Sequence, residues 1–213
     1  MFNVDEPDDI DNEPINIKCL PSITQMPSIS DQDRQRMFWM QLFLRLPLGG
    51  VGLRFPDEAA CEQRFREVRW PEGIRCLKCG GVQLKTCRAR KTLRCRDCGR
   101  EFSLKVGTFM FRSRHSIRDW FLAAEEHMTL CAFGRDRLDT GRDMADRNGI
   151  AYTTAFRMRE KLRGELRRDP SLLVSSICIE DLCPPQDVVD DEFRFLMWLL
   201  DSCASREQQT REG

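Results

Sequence analysis

Two Cys-x-x-Cys pairs fifteen residues apart, apolar residues at helical spacing on both sides of them, and a small-residue-then-glycine step between two late helices set the expected fold. The fold class is mainly α with a small β zinc ribbon. The ribbon is followed by a helical helix-turn-helix domain and preceded by a disordered acidic N-terminus.

At 213 residues and 41% apolar, the chain can bury a core, which excludes wholesale disorder and fibrous architecture. Its longest apolar run, around Phe193–Leu200, is interrupted by Arg194 and is far shorter than the roughly 18–20 residues of a membrane helix. The opening MFNVDEPDDIDNEP is acidic where a secretion signal is basic, so an intracellular protein is expected: cytoplasm or nucleoid in a bacterium, nucleus in a eukaryote. Eleven cysteines, an odd number, exclude a complete disulfide framework and favour thiolates held by metal in a reducing compartment. The net charge of zero conceals a segregation. Residues 61–168 hold 26 basic and 14 acidic side chains, while both flanks are acidic. A basic centre between acidic ends suits a polyanion, although clustered charge is also what an ordinary solvated face carries.

Residues 1–30, rich in Asp, Pro, Ser and Asn without apolar periodicity, form the acidic tail. Residues 31–73 form a helical lead-in. Met37, Phe38, Trp39, Leu42, Phe43 and Leu46 recur at helical spacing until Pro47 and Gly49–Gly50, giving a helix that docks on the body or binds a partner. Asp57 is placed to cap a second helix carrying Cys61, Phe65 and Val68, which Pro71 and Gly73 end.

Residues 74–112 alternate short β-prone pieces with Cys and Gly, and Leu84–Thr86 with Thr92–Arg94 reads as a hairpin. Cys76, Cys79, Cys95 and Cys98 offer four soft thiolates at tetrahedral corners, the closed set of a structural Zn2+ site. Gly80 and Gly99, each just after a knuckle, supply the turn that brings backbone N–H groups to the sulfurs. Iron would accept the same four sulfurs, and a redox dithiol is the other alternative. Cys87 has no place in a closed four-sulfur site. Cys61 and Cys131 are read as small buried hydrophobes, and His115 and His127 are assigned no chemistry.

Residues 113–168 form the helix-turn-helix unit. Ser116 with Asp119 makes a capping box, and Ile117, Trp120, Phe121, Ala124 and Met128 share a helical face. Two helices follow, about 139–147 and 151–167, with Ala145 where they meet and Gly149 at the turn. Ile150, Ala155 and Met158 face inward on the last helix, leaving Tyr152, Thr153, Thr154, Arg157 and Lys161 outward. Hydroxyls and cations near a helix N-terminus are what base edges and phosphates require, although a basic helical hairpin shares the spacing. On the ribbon, Arg88, Arg90, Lys91, Arg94 and Arg96 are the matching phosphate-contact candidates, within a stretch (88–118) that holds ten basic residues. Residues 169–213 carry a β-like run, Leu172–Ile179, then an acidic amphipathic tail whose 193–200 stretch covers preceding helices or binds a second chain.

From Phe55 to Glu165 the chain resembles the N-terminal half of zinc-ribbon insertion-sequence transposases, bacterial relatives of Merlin-type elements. The resemblance rests on FPDEAAC, RWPEGIRCLKCGG, LRCRDCGREFSLKVGTFMFRSR, Trp120-Phe121-Leu122-Ala123 and YTTAFRMREKLR. It implies zinc on Cys76, Cys79, Cys95 and Cys98, and a helix-turn-helix that recognises double-stranded, transposon-end-like DNA. In such proteins a strand just after this unit carries the first catalytic Asp; here Ile177–Cys183 puts Glu180 at that place, with too few residues after it for an RNase-H-like domain. The expectation is therefore a transposase-derived, zinc-dependent DNA-binding protein, truncated before the catalytic domain and not itself an enzyme. Two alternatives stand beside it: the DNA-recognition part of an active transposase completed by a separate or frameshifted catalytic half, and a protein–protein interaction module built on the ribbon. Self-association or a partner protein through 193–200 is compatible with each, and a membrane with none.

Overall fold

The structure, a computed structural model, describes residues 29–87, 90–135 and 140–212. It is mostly helical, with one three-stranded antiparallel sheet. The acidic tail lies outside the described residues except for its last two. There Ile29 is buried and Ser30 caps helix α1 (Asp31–Leu44), accepting from the Asp33 N–H at 3.1 Å.

Helix α1 buries Met37, Trp39, Met40, Leu42, Phe43 and Leu44, apolar groups on more than one side of its axis. Two neighbours explain this: α1 packs against α4 (Ile117–Ala132) and against the last helix, α9 (Glu192–Glu212). It is thus docked on the body. After the short α2 (Val51–Arg54), Asp57 caps α3 (Glu58–Arg69) through the Ala60 N–H at 2.8 Å, as its sequence position predicts. Helix α3 packs on α4, and Glu58 continues the contact. Its carboxylate accepts from Ile117 N at 2.9 Å and Arg118 N at 2.8 Å, capping α4 alongside the Ser116–Asp119 box.

Strands β1 (Leu84–Cys87) and β2 (Thr92–Cys95) pair as the expected hairpin, and β3 (Glu101–Ser103) adds a third strand on the far edge of β2. Leu93, Phe102, Cys76 and Cys95 form a small core separate from the main one. Trp70, at the end of α3, packs against both cores.

Helix α5 (Gly141–Asn148) is capped by Thr140 and ends at Gly149, which is left-handed (φ 61°). Helix α6 (Tyr152–Leu166) follows at once and packs on α5, with Ala155, Met158, Leu162 and Leu166 buried. Ala145 is buried at the junction, and its carbonyl accepts from Ile150 N at 3.0 Å.

The β-like run Leu172–Ile179 is not a strand. Residues Leu172–Ile177 form helix α7. The buried carboxylate of Glu165 accepts from Leu172 N (2.8 Å) and Leu173 N (3.4 Å), and the Ser171 hydroxyl accepts from Val174 N (3.0 Å). These caps, with Leu173 and Ile177 buried on α3, α4 and α6, outweigh the β-propensity of Val and Ile; among the described residues no strand pairs with this segment. A short α8 (Gln186–Val189) leads into α9. There Leu199 and Cys203 are buried and Arg206 donates to the carbonyls of Leu44 and Leu46, closing the C-terminal end of α1. Among the described residues no helix is long and apolar enough to cross a membrane.

Candidate metal centre and nucleic-acid interface

Both cysteine knuckles have the same backbone. Gly80 N donates to Cys76 O (2.9 Å) and Cys76 N to Gly81 O (2.9 Å). In the second, Gly99 N donates to Cys95 O (3.1 Å) and Cys95 N to Arg100 O (2.9 Å). Gly80 and Gly99 sit at φ 72° and 71°, a region where a Cβ is strained whatever the surrounding space. Gly81 has little room beside it instead: a Cβ there would meet the Asp97 carboxylate of the opposite knuckle, which would have to turn away.

The four sulfurs of Cys76, Cys79, Cys95 and Cys98 lie within 4.8 Å of one another, with Cys76–Cys98 at 3.5 Å and Cys79–Cys95 at 3.6 Å. Zinc with Zn–S bonds of about 2.3 Å has tetrahedral edges near 3.8 Å, so the group fits the ion. Backbone N–H groups of Cys79 and Lys78 hydrogen-bond the Cys76 sulfur and lower its pKa, favouring the thiolate that a metal takes. Four protein ligands leave no position for substrate. Bound by these four sulfurs, Zn2+ would supply folding free energy to a ribbon with a very small core.

The other described cysteines are separate from this group. Cys87 ends β1 opposite Thr92. Cys61 and Cys131 are buried as expected; burial also pushes the Cys61 thiol up to about 11 and those of Cys178 and Cys203 to about 12. His127 is a core residue, edge-on to Trp39 at 5.0 Å.

Residues 56–101 match the transposase zinc-ribbon domain of the IS1595 type. The ribbon with its Cys76, Cys79, Cys95 and Cys98 cluster is therefore transposase-related, and its ligand set is that of a Zn2+ site. The chain is also 27% identical over 106 residues to an uncharacterized protein in transposable element ISH50 of Halobacterium salinarum. That match covers 48% of this chain and 34% of the other protein, so the chain aligns with about a third of its relative's length. No solved structure matches the chain.

The outward candidates on α6, namely Tyr152, Thr153, Thr154, Arg157 and Lys161, are all exposed. Arg90, Lys91, Arg94 and Arg96 are exposed on the ribbon; Arg88 lies outside the described residues. Arg90 pairs with Glu101 at 3.7 Å and Lys91 with Glu62 at 3.4 Å. Two clefts gather Arg90, Lys91, Thr154, Arg157 and Lys161, whereas Arg94, Arg96, Tyr152 and Thr153 line neither. One, of about 560 Å³ between α3, the hairpin and the start of α4, includes Arg66, Arg90, Lys91, Lys105 and Arg114, with Glu58 and Glu62. The other, of about 420 Å³, lies between residues 112–115 and α6 and includes Thr154, Arg157 and Lys161. Arg114 lines both. The sequence reading missed Arg112 and Arg114 as site residues, although the basic run 88–118 contains them. It also missed Phe156, an exposed ring 6.3 Å from Tyr152 on α6.

Proposed function

We propose that this chain is a zinc-dependent, duplex-DNA-binding protein related to transposases, with α6 reading a groove and the ribbon holding phosphates. One observation carries the reading: Arg114 lines both basic clefts, so the cleft that holds Arg90 and Lys91 of the ribbon borders the one that holds Arg157 and Lys161 of α6. The ion pairs of Arg90 and Lys91 are exposed and worth at most about 1 kcal/mol each, so a phosphate displaces their carboxylates cheaply. Thr153 and Thr154 at the start of α6 add hydroxyl donors where the helix dipole favours anions.

The same reading assigns no strand cleavage to this polypeptide. Two-metal phosphoryl chemistry needs carboxylates converging from a rigid sheet. Among the described residues, strands occur only in the ribbon; Glu180 and Asp181 follow α7 in irregular chain, where the Glu180 N–H is bonded to Arg45 O at 3.0 Å. A second reading, with catalysis supplied by a separate chain, draws support from Val189, Phe193 and Met197, large apolar side chains left exposed along α8 and α9.

Fluorescence anisotropy with a labelled duplex tests the binding. Zinc-loaded protein should bind with steep salt dependence and lose binding on zinc removal; no binding at low salt overturns the proposal. Incubation with magnesium or manganese and linear duplex should leave the strands intact. Cleavage above a protein-free control, abolished by Glu180→Gln, would restore the enzyme.

A further inference from the structure

The cleft between residues 112–115 and α6 differs in character from its neighbour. Its lining brings Arg112, Arg114 and Arg157 together with Lys161, Ser113 and His115, and includes no carboxylate. His115 has its one acidic neighbour outside the lining, Asp119, at 3.8 Å. Arg114 also reaches the neighbouring cleft, which holds Glu58 and Glu62, so the cations with no carboxylate in either lining are Arg112, Arg157 and Lys161; these raise one another's energy, and an anion between them lowers it.

The geometry is built rather than incidental. Lys161 Nζ donates to Phe111 O at 3.2 Å, tying the 112–115 segment to α6, and Arg112 holds a left-handed backbone (φ 61°) beside it. That conformation is uncommon for a side chain of its size.

We infer that this cleft is a seat for one stretch of duplex-DNA backbone, in which Arg112 and Arg114 clamp phosphodiester oxygens and thereby fix the register of α6 on the duplex. The inference rests on the DNA-binding reading above and adds to it a site and two residues. Phosphate contacts of this kind position a protein without reading sequence.

The test compares zinc-loaded wild type, the double variant Arg112→Ala with Arg114→Ala, and Arg54→Ala, using anisotropy on a mixed-sequence DNA duplex across salt concentrations. Arg54 is an exposed cation beside Phe55 and Cys178, outside the cleft. Zinc content and circular dichroism confirm that each variant is folded. The clamp predicts that the double variant's log–log salt slope falls by about 1.8, or 0.9 per lost contact. Arg54→Ala should match wild type. A folded double variant whose slope matches wild type overturns the clamp while leaving DNA binding intact. Wild type that fails to bind DNA overturns both. A larger loss on double-stranded RNA than on DNA would move the site to a different polyanion and also overturn it.

Discussion

Arg69 lies over the ring of Trp70, its guanidinium carbon 4.3 Å from the ring centroid, at the point where the helical body meets the ribbon. The same guanidinium donates to Leu104 O and, at 2.6 Å, to Val106 O in the loop after β3. One side chain of α3 therefore holds the exit of the ribbon, and Trp70 beside it is shared by both apolar cores.

Arg69→Ala should destabilise the protein by about 3 kcal/mol, since each hydrogen bond to a charged donor is worth about 1.5–3 kcal/mol and a cation–π contact is lost besides. Zinc should stay bound. Urea unfolding with metal analysis measures both; unchanged stability, or zinc lost in step, contradicts this role.

Purified protein should hold about one zinc per chain, and Cys95→Ser should lose it and unfold the ribbon. Gly99→Ala is the gentler probe. Forcing a Cβ into its left-handed turn costs about 1–2 kcal/mol, on the order of tenfold in zinc retention. Competition with a chromogenic chelator reads the difference, and full metal in Cys95→Ser would show that the ligands are others.

Glu125 predicts a pH dependence. It is half-buried on α4, accepts from Val51 N at 2.8 Å, and its partial burial raises its pKa above the ordinary glutamate value. The folded state thus keeps this proton to higher pH than the unfolded chain does. The stability it contributes is full below the unfolded value and is lost as pH rises through the folded one. Glu125→Gln keeps an acceptor for Val51 and should flatten that decline. Denaturant midpoints from mildly acidic to neutral pH decide it: parallel curves for the two proteins refute the assignment.

On DNA, Arg157→Ala should weaken binding with a sequence-dependent part, because the side chain stands on the outward face of α6. Arg90→Ala and Lys91→Ala should weaken all sequences alike, each lowering the salt slope by about 0.9. Affinities for several unrelated duplexes separate the two patterns; equal losses everywhere for Arg157→Ala would make it a phosphate contact too.

The features legible in the sequence are those made by short-range chemistry. Ser116 with Asp119, Asp57, Gly149 and both knuckles act on backbone within a few residues, so spacing alone reveals them. The α7 segment was misread because its decisive partner is the Glu165 carboxylate, whose reach to Leu172 N no propensity encodes. The cleft at residues 112–115 is hidden from the sequence for a similar reason: Arg112 and Arg157 meet through tertiary packing, with Lys161 bonded to Phe111 O, and not through local spacing.

The cap that Arg206 places on α1 joins the chain's first described helix to its last. During synthesis the carbonyls of Leu44 and Leu46 must wait for a donor about 160 residues downstream, whereas the ribbon can close on its metal as soon as Cys98 has left the ribosome. The seal between α1 and α9 is therefore among the last contacts of the described chain that can form. A chain stopped short of Arg206 would carry a complete ribbon beside an α1 that lacks this C-terminal cap.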